Sequence, residues 1–160
     1  MLRKKSTRMN GGIYMELLQV LNGLNVKESV NNLDLNITNI HSDSRKIKEG
    51  GLFVAIDGYL QKGIDFLDNA ISNGAVAVIV EDGVDIKNLP QDVTYLKVGD
   101  TRRALAVASC NLYDNPSRKF KLIGVTGTKG KTTTTFMIKS LLESHGLKVR
   151  TNRKYSCLYW

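Results

Sequence analysis

The most constraining stretch of this 160-residue sequence is the apolar run AVAVIV at residues 75–80. Six consecutive apolar residues with alternating valine are typical of a strand that is covered on both faces. The preceding segment, residues 65–74, has the spacing of a short helix, with Asp65 as a candidate N-cap and Gly74 just past its end. A helix that leads directly into a buried strand predicts an α/β fold.

The same alternation of elements extends along the chain. Strands are predicted at residues 33–40, 52–56, 93–98 and 120–125, and further helices at 14–24, 99–117 and 131–146. The helix at 99–117 has Asp100 as its predicted N-cap and stops at Asn115-Pro116. The polar segment 114–119 is the predicted boundary between two parts of the chain.

The net charge of +8 raises the possibility of a nucleic-acid partner. Residues 1–14 carry four basic and no acidic residues, and residues 150–160 carry three basic and no acidic residues. Because most of the excess charge falls in these two segments, we expect solvated tails and no nucleic-acid partner.

No apolar run approaches the roughly 18 residues of a membrane span, so no membrane partner is expected. Cys110 and Cys157 form no disulfide or metal-binding pattern, and Cys110 is expected to be a core residue in a cytoplasmic protein.

A glycine-rich loop follows the predicted strand at 120–125 and opens the next helix, reading GVTGTKGKTTTT at 124–135. Glycines allow backbone N–H groups to converge on phosphate oxygens, and the helix N-terminus adds partial positive charge there. Lys131 is the candidate catalytic residue, facing the β- and γ-phosphates, and the Thr132 hydroxyl is the candidate Mg²⁺ ligand. Val125 stands where the general P-loop pattern has its first glycine. The candidate ATP-binding residues are Gly127, Thr128, Lys129, Gly130, Lys131, Thr132 and Thr133.

This variant loop, LIGVTGTKGKTTTT, resembles the ATP loop of the Mur ligases, which build the peptide stem of bacterial peptidoglycan. The segments SDSRKIKEGGLFVAIDG (42–58), GIDFLDNAISNGAVAVIVED (63–82) and LYDNPSRKFKLIGVTGT (112–128) also resemble that family. The resemblance runs from about Met15 to about Val149. It implies a mixed α/β domain at 15–115 that binds a UDP-MurNAc-peptide, followed by the first strand, P-loop and helix of a Rossmann-like ATPase domain at 119–149.

The resemblance also implies an activity. Asn115-Pro116-Ser117 and Thr128 favour the family member that adds the third stem residue over the one that adds D-Ala-D-Ala. Such a ligase uses ATP and Mg²⁺ to phosphorylate the D-Glu carboxylate of UDP-MurNAc-L-Ala-D-Glu. This gives an acyl phosphate and ADP. The amine of an incoming amino acid, diaminopimelate or L-lysine, then attacks the acyl phosphate, so that an amide forms and phosphate leaves. The family resemblance implies a monomer.

The resemblance assigns one more set of residues, the contacts to the UDP part of the substrate. They are Ser42, Ser44, Tyr59, Leu60 and Gln61. Lys62 stands where an aspartate is common in the family, and Ile64 where a histidine is common, so the details of this pocket stay open. Asp43 and Arg45 either contact substrate or form a local ion pair that locks the turn. His41 and His145 are expected to have surface or capping roles.

The two ends of the chain depart from the family pattern. Residues 1–14 are interpreted as a disordered basic extension, and 150–160 (RTNRKYSCLYW) as an aberrant tail. One permitted set of codons for the tail, read one base later, encodes GLIGNIVVFI, which suggests a one-nucleotide frameshift. On this interpretation the chain is a truncated ligase that is inactive alone. The alternatives are a non-catalytic UDP-MurNAc-peptide-binding module and another P-loop enzyme, such as a folylpolyglutamate-type synthetase.

Overall fold

The computed structural model of this chain describes residues 7–9, 12–87, 89–152 and 157–159. The chain divides into two compact units, Met1–Asp114 and Asn115–Trp160. The division falls within the segment 114–119, where the sequence predicted a boundary. None of the helices in the described ranges is long and apolar enough to cross a membrane.

The first unit contains eight described strands and three described α-helices. The strands are β1 (Thr7–Met9), β2 (Gly12–Glu16), β3 (Val26–Val30), β4 (Asn36–Ile37), β5 (Asn39–His41), β6 (Gly51–Val54), β7 (Ala75–Glu81) and β8 (Thr94–Val98). The helices are α1 (Leu17–Val20), α2 (Leu67–Ser72) and α3 (Thr101–Leu112). Short 3₁₀ turns at Ser44–Lys46 and Gly63–Phe66 follow β5 and precede α2.

The main sheet of this unit has the strand order β3-β8-β7-β6-β5. Strands β5 to β8 pair in parallel, and β3 is antiparallel to β8 at the edge. Along β7, Ala77 and Ile79 pack into a core that includes α1 and α3 residues, whereas Val78 and Val80 pack into a second core that includes α2 residues. The prediction that the run 75–80 is a strand buried on both faces is therefore confirmed.

The N-terminal part of the first unit differs from the sequence prediction. Residues 7–9 and 12–14 lie in strands rather than in a disordered extension; residues 1–6, 10 and 11 are outside the described ranges. The predicted helix at 14–24 is reduced to α1, because β2 extends to Glu16 and pairs with both β1 and β4. Tertiary pairing has overridden the local helical spacing here.

Three other local predictions are also corrected. The predicted strand 33–40 is interrupted at Thr38, and its halves join different sheets as β4 and β5. The helical region expected to start with Asp65 as N-cap starts earlier, at Gly63, and the Asp65 carboxylate accepts the backbone N–H of Lys62 at 3.1 Å. Cys110 is exposed on α3 and is not a core residue.

The Asp100 N-cap is confirmed, because its side chain accepts the N–H of Arg103 at 2.9 Å. Strand β3 was missed by the sequence analysis. Three of its five residues are exposed, so it carries no continuous apolar signal.

The second unit has one α-helix and one sheet in its described residues. Its elements are β9 (Leu122–Gly124), α4 (Lys131–Ser144), β10 (Arg150–Asn152) and β11 (Cys157–Tyr159). The strand order is β10-β11-β9, and both pairings are antiparallel. The tail that the sequence analysis considered aberrant thus supplies two short strands; residues 153–156 and 160 of it are outside the described ranges.

Tyr95 makes the stability of the first unit depend on pH. It is fully buried on β8, and its hydroxyl donates to the Pro90 carbonyl at 2.8 Å. Burial raises the pKa of Tyr95 to about 12, and the carboxylates of Asp68 and Asp92 add to the shift. The unfolded chain releases this proton near pH 10. The stabilisation is therefore complete below about pH 10 and is lost as the pH rises toward 12.

We expect Tyr95→Phe to remove this dependence. From about pH 10 to 12, the free energy of unfolding of the wild type should fall about 2–3 kcal/mol further than that of the variant. Guanidinium unfolding at a series of pH values measures this difference. Tyr59→Phe, at an exposed position, serves as the control and should follow the wild type. Parallel curves for Tyr95→Phe and wild type would contradict the assignment.

Candidate functional site

The segment that joins β9 to α4, residues 125–130, forms a glycine-dependent loop that we call the phosphate loop. Gly127 and Gly130 have φ angles of +148° and +77°. Side chains of L-residues rarely adopt these conformations, so the curvature of the loop depends on glycine at both positions. Gly130 is also the N-cap of α4.

Lys131 is held in place from two directions. As the first residue of α4, it is fixed by the helix, and its Nζ donates to the Gly127 carbonyl at 2.7 Å. Thr135, which is only 3% exposed, donates its hydroxyl to the Lys131 carbonyl at 2.8 Å. The ammonium group therefore lies over the phosphate loop, as a phosphate-binding lysine requires.

Backbone donors of the phosphate loop are available for an anion. In the part of the chain that the structure describes, the N–H groups of residues 127–130 donate to no backbone carbonyl. The first internal bond of α4 runs from the Thr134 N–H to the Gly130 carbonyl at 2.9 Å. Free N–H groups at the positive end of a 14-residue helix are the donors that an anion-binding site requires.

All seven predicted ATP-binding residues lie together in this region. Residues 127–130 are in the loop and residues 131–133 form the first turn of α4. The side chains of Lys129, Thr132 and Thr133 are exposed, and that of Lys131 is half-buried. The described ranges contain no group of three or more His, Cys, Asp or Glu that could hold a metal ion.

The first unit has a second candidate region, at what we call the carboxyl edge of its main sheet. Because β5 to β8 are parallel, their carboxyl ends meet at this edge. Open α/β sheets bind ligands beyond the carboxyl ends of their strands. The predicted UDP contacts follow two neighbouring strands: Ser42 and Ser44 follow β5, and Tyr59, Leu60 and Gln61 follow β6.

The loop after β6, residues 57–63, has a closed base and an open tip; we call it the Tyr59 loop. The Asp57 carboxylate accepts the Gly63 N–H at 2.7 Å, and the Gly58 N–H donates to the Gln61 carbonyl at 3.0 Å. Tyr59 and Leu60 at the tip have relative exposures of 109% and 97%. A fixed loop that holds two apolar side chains fully in water is typical of a binding element.

Arg102 was not singled out by the sequence analysis. Its Nη2 donates to the Asp57 carbonyl at 2.8 Å and so ties the first turn of α3 to the base of the Tyr59 loop. A cation in the first turn of a helix is unfavourable next to the helix dipole. The signal for Arg102 in the sequence was therefore the pair Arg102-Arg103, which lies in the first turn after the predicted N-cap Asp100.

The two predicted contacts in the segment after β5, Ser42 and Ser44, differ in exposure. Arg45 donates from Nε and Nη2 to the two Asp43 oxygens at 2.9 and 3.0 Å. These hydrogen bonds hold the pKa of Asp43 below its ordinary value. Ser44 is only 5% exposed, and its carbonyl accepts the Asn73 Nδ2 at 3.0 Å, whereas Ser42 is exposed. Of the two alternatives for Asp43 and Arg45, the geometry supports the local ion pair that locks the turn.

The two histidines have no metal-binding surroundings in the described chain. The ring Nδ1 of His145 lies 2.9 Å from the Leu141 carbonyl at the end of α4. The expected capping role is confirmed for this residue. His41 is a half-buried residue of β5.

These features define an α/β protein with a glycine-rich phosphate loop, and the comparisons with known proteins identify its family. The profile described as "Mur ligase family, catalytic domain" matches residues 36–113. The chain belongs to the Mur ligase family. The matched residues lie in the first unit, so the family assignment does not rest on the phosphate loop alone.

Its curated relatives include two clostridial enzymes. UDP-N-acetylmuramoyl-L-alanyl-D-glutamate--2,6-diaminopimelate ligase of Clostridium tetani is 48% identical over 135 residues, which are 84% of this chain and 28% of that relative. The corresponding ligase 1 of Clostridium acetobutylicum is 49% identical over 135 residues, 84% of this chain and 27% of that relative. The chain thus spans little more than a quarter of the length of these relatives.

A solved structure agrees with the fold. A crystal structure of MurF from Acinetobacter baumannii matches with a TM-score of 0.56 and 26% sequence identity, covering 82% of this chain and 28% of that chain. The predicted α/β class and the predicted family are both confirmed by these comparisons.

The base of the Tyr59 loop depends on Gly63, which yields a prediction. A Cβ at this position would lie 2.4 Å from the Ala55 carbonyl carbon and from the Ile56 nitrogen. Because both contacts are backbone atoms, we expect Gly63→Ala to lower the free energy of unfolding by about 1–3 kcal/mol. Gly83→Ala is the matched control, since a Cβ there meets nothing within 4 Å. Urea unfolding of both variants measures the difference, and equal stabilities would refute the close approach.

Proposed function

We propose that this chain carries the UDP-substrate unit and the ATP loop of a peptidoglycan-precursor ligase. The reaction proposed is ATP-dependent addition of diaminopimelate to UDP-MurNAc-L-Ala-D-Glu through an acyl phosphate, in the cytoplasm. The observation that carries this proposal is the phosphate loop with Lys131 over it, in one chain with the Tyr59 loop at the carboxyl edge. High identity to the clostridial diaminopimelate ligases supports it.

The phosphate loop suits the ATP half of this reaction. Mur ligases are ATP-dependent enzymes. The N–H groups of residues 127–130 are directed at the phosphates in our proposal, and Lys131 neutralises charge on the β- and γ-phosphates. Thr132 would hold Mg²⁺ through its hydroxyl, with water and phosphate oxygens as the other ligands. Mg²⁺ held there would add further positive charge next to the phosphates.

The carboxyl edge suits the UDP-sugar half. Tyr59 and Leu60 offer apolar surface for the flat, partly apolar uracil ring of UDP, and the exposed Ser42 offers a hydroxyl for a polar group of the substrate. Ser44 contributes mainly through the backbone of the turn, since its side chain is buried. The Arg102 link to Asp57 holds the Tyr59 loop against α3 and so limits the ordering cost on binding.

Diaminopimelate is the proposed amino-acid substrate because it is named for the relatives that are 48–49% identical. The D-Ala-D-Ala-adding enzyme is the second candidate, favoured only by the structural match to the D-alanyl-D-alanyl ligase of Acinetobacter baumannii at 26% identity. Both candidates use the same two regions of this chain, so the experiments below test the regions and not the choice of amino acid.

Replacement of Lys131 tests the ATP loop. We expect Lys131→Ala to weaken binding of MgATP to the chain by about 10- to 100-fold, because charge-assisted bonds to phosphate are lost. Lys129→Asn removes a cation from the same loop and keeps the backbone donors, so it should bind within a few-fold of wild type. Isothermal titration calorimetry measures both. If Lys131→Ala binds MgATP with wild-type affinity, Lys131 is not part of the ATP site.

Replacement of Tyr59 tests the UDP-substrate region. We expect Tyr59→Ala to weaken binding of UDP-MurNAc-L-Ala-D-Glu by about tenfold, since an exposed aromatic anchor is lost. Tyr113→Ala, at an exposed aromatic that follows α3, is the matched control and should bind as wild type does. If both variants bind equally well, the Tyr59 loop is not part of the substrate site.

A further inference from the structure

The division into two units shows a charge asymmetry that the two termini alone do not account for. The second unit, Asn115–Trp160, holds ten of the chain's 23 lysines and arginines but only one of its 15 acidic residues, a formal charge of +9. The first unit holds the other 13 basic and 14 acidic residues, a formal charge of −1. Nearly all the excess charge therefore belongs to a unit of 46 residues.

Several of these cations lie at one end of the second unit's sheet. Arg118, Lys119 and Lys121 lead into β9 and are all exposed. Lys148 and Arg150, at the start of β10, are exposed as well. Because Lys131 and the phosphate loop follow the other end of β9, these five cations are distinct from the proposed ATP contacts.

The strand register connects the two groups of cations. Leu122 is opposite position 159 of β11, and position 159 is opposite Arg150 of β10. Directly opposed residues of antiparallel strands point to the same face of a sheet. Leu122 and Arg150 therefore share a face, about 10 Å apart across two strand spacings. We call this end of the sheet, which carries the exposed residues Arg118, Lys119, Lys121, Leu122, Lys148 and Arg150, the basic edge.

Two further observations characterise the basic edge. The unit's one acidic side chain, Glu143, is engaged within α4, where it pairs with Lys139 at 3.6 Å. Leu122 is 61% exposed among the cations, and Leu147, just before Lys148, is 40% exposed. The surface thus combines cations with accessible aliphatic side chains.

We propose that the basic edge binds the surface of an anionic lipid bilayer, a peripheral contact that needs no membrane-spanning run. Lysine and arginine attract acidic headgroups, and leucine side chains enter the boundary between headgroups and acyl chains. A nucleic acid is a poorer match, because it gains affinity from aromatic side chains that stack on bases, whereas Leu122 and Leu147 are aliphatic. Phe120, which is 37% exposed, suits either partner.

The test is co-sedimentation of the full chain with vesicles of mixed phosphatidylglycerol and phosphatidylcholine. We expect binding at about 50 mM salt, loss of binding at about 500 mM, and none to pure phosphatidylcholine. The triple variant Arg118→Gln/Lys119→Gln/Lys121→Gln should bind about 100-fold more weakly, at about fivefold per cation. The matched control is Lys46→Gln/Lys48→Gln/Lys87→Gln, which removes three exposed cations from the first unit and should bind as wild type does.

Leu122→Thr separates a bilayer from other polyanions, because it removes an apolar contact and keeps the charge and the strand propensity. Its binding to vesicles should weaken several-fold, while any binding to a DNA oligonucleotide should not change. Equal vesicle binding by the two triple variants would overturn the proposal, as would the absence of binding by the wild type. Binding to DNA together with unchanged vesicle binding by Leu122→Thr would assign the basic edge to nucleic acid instead. Circular dichroism establishes that each variant is folded, and the triple variant decides the result if Leu122→Thr is not.

Discussion

Strand β7 is the element on which the first unit depends. It is hydrogen-bonded to β6 on one side and β8 on the other, and alternate residues along it enter the two hydrophobic cores of the unit. A strand in this position leaves no backbone donor or acceptor for water and no face for a polar side chain. Since its neighbours are parallel to it, the loops that follow β5 to β8 emerge at one edge. The candidate UDP contacts lie there as a consequence of this packing.

The two candidate regions use different means to hold their ligand contacts. The phosphate loop relies on glycine conformation and on the start of a helix, so its donors are backbone groups that need no particular side chain. The Tyr59 loop relies on a closed base, where Gly63 approaches the backbone at Ala55 and Ile56 and Arg102 holds the Asp57 carbonyl. The backbone donors of the phosphate loop therefore do not depend on the side chain at Lys129, whereas an added Cβ at Gly63 would meet backbone atoms at the base of the Tyr59 loop.

Elements whose local signal agrees with their tertiary environment were predicted correctly. The phosphate loop, the Asp100 cap and the strand at β7 all have such signals. The predictions were wrong where a partner strand decides the conformation. Strand β2 occupies the start of a predicted helix, and β3 was missed because three of its residues face water. Cys110 was misplaced for a related reason, since the spacing of a helix does not state which face is covered. The excess positive charge was expected in solvated tails. In the structure, cations next to β9 and β10 belong to the same folded unit as the C-terminal tail.

The α/β class, the family and the residues of the phosphate loop could be predicted from the sequence, because glycine spacing, apolar runs and capping residues act through the local backbone. The fold alone fixes which of the predicted contacts are accessible. It buried Ser44, exposed Tyr59 and Leu60, paired Asp43 with Arg45, and linked Arg102 to a loop 45 residues earlier in the chain. Accessibility and long-range pairing depend on what the rest of the chain packs against each residue, and no local pattern contains that information.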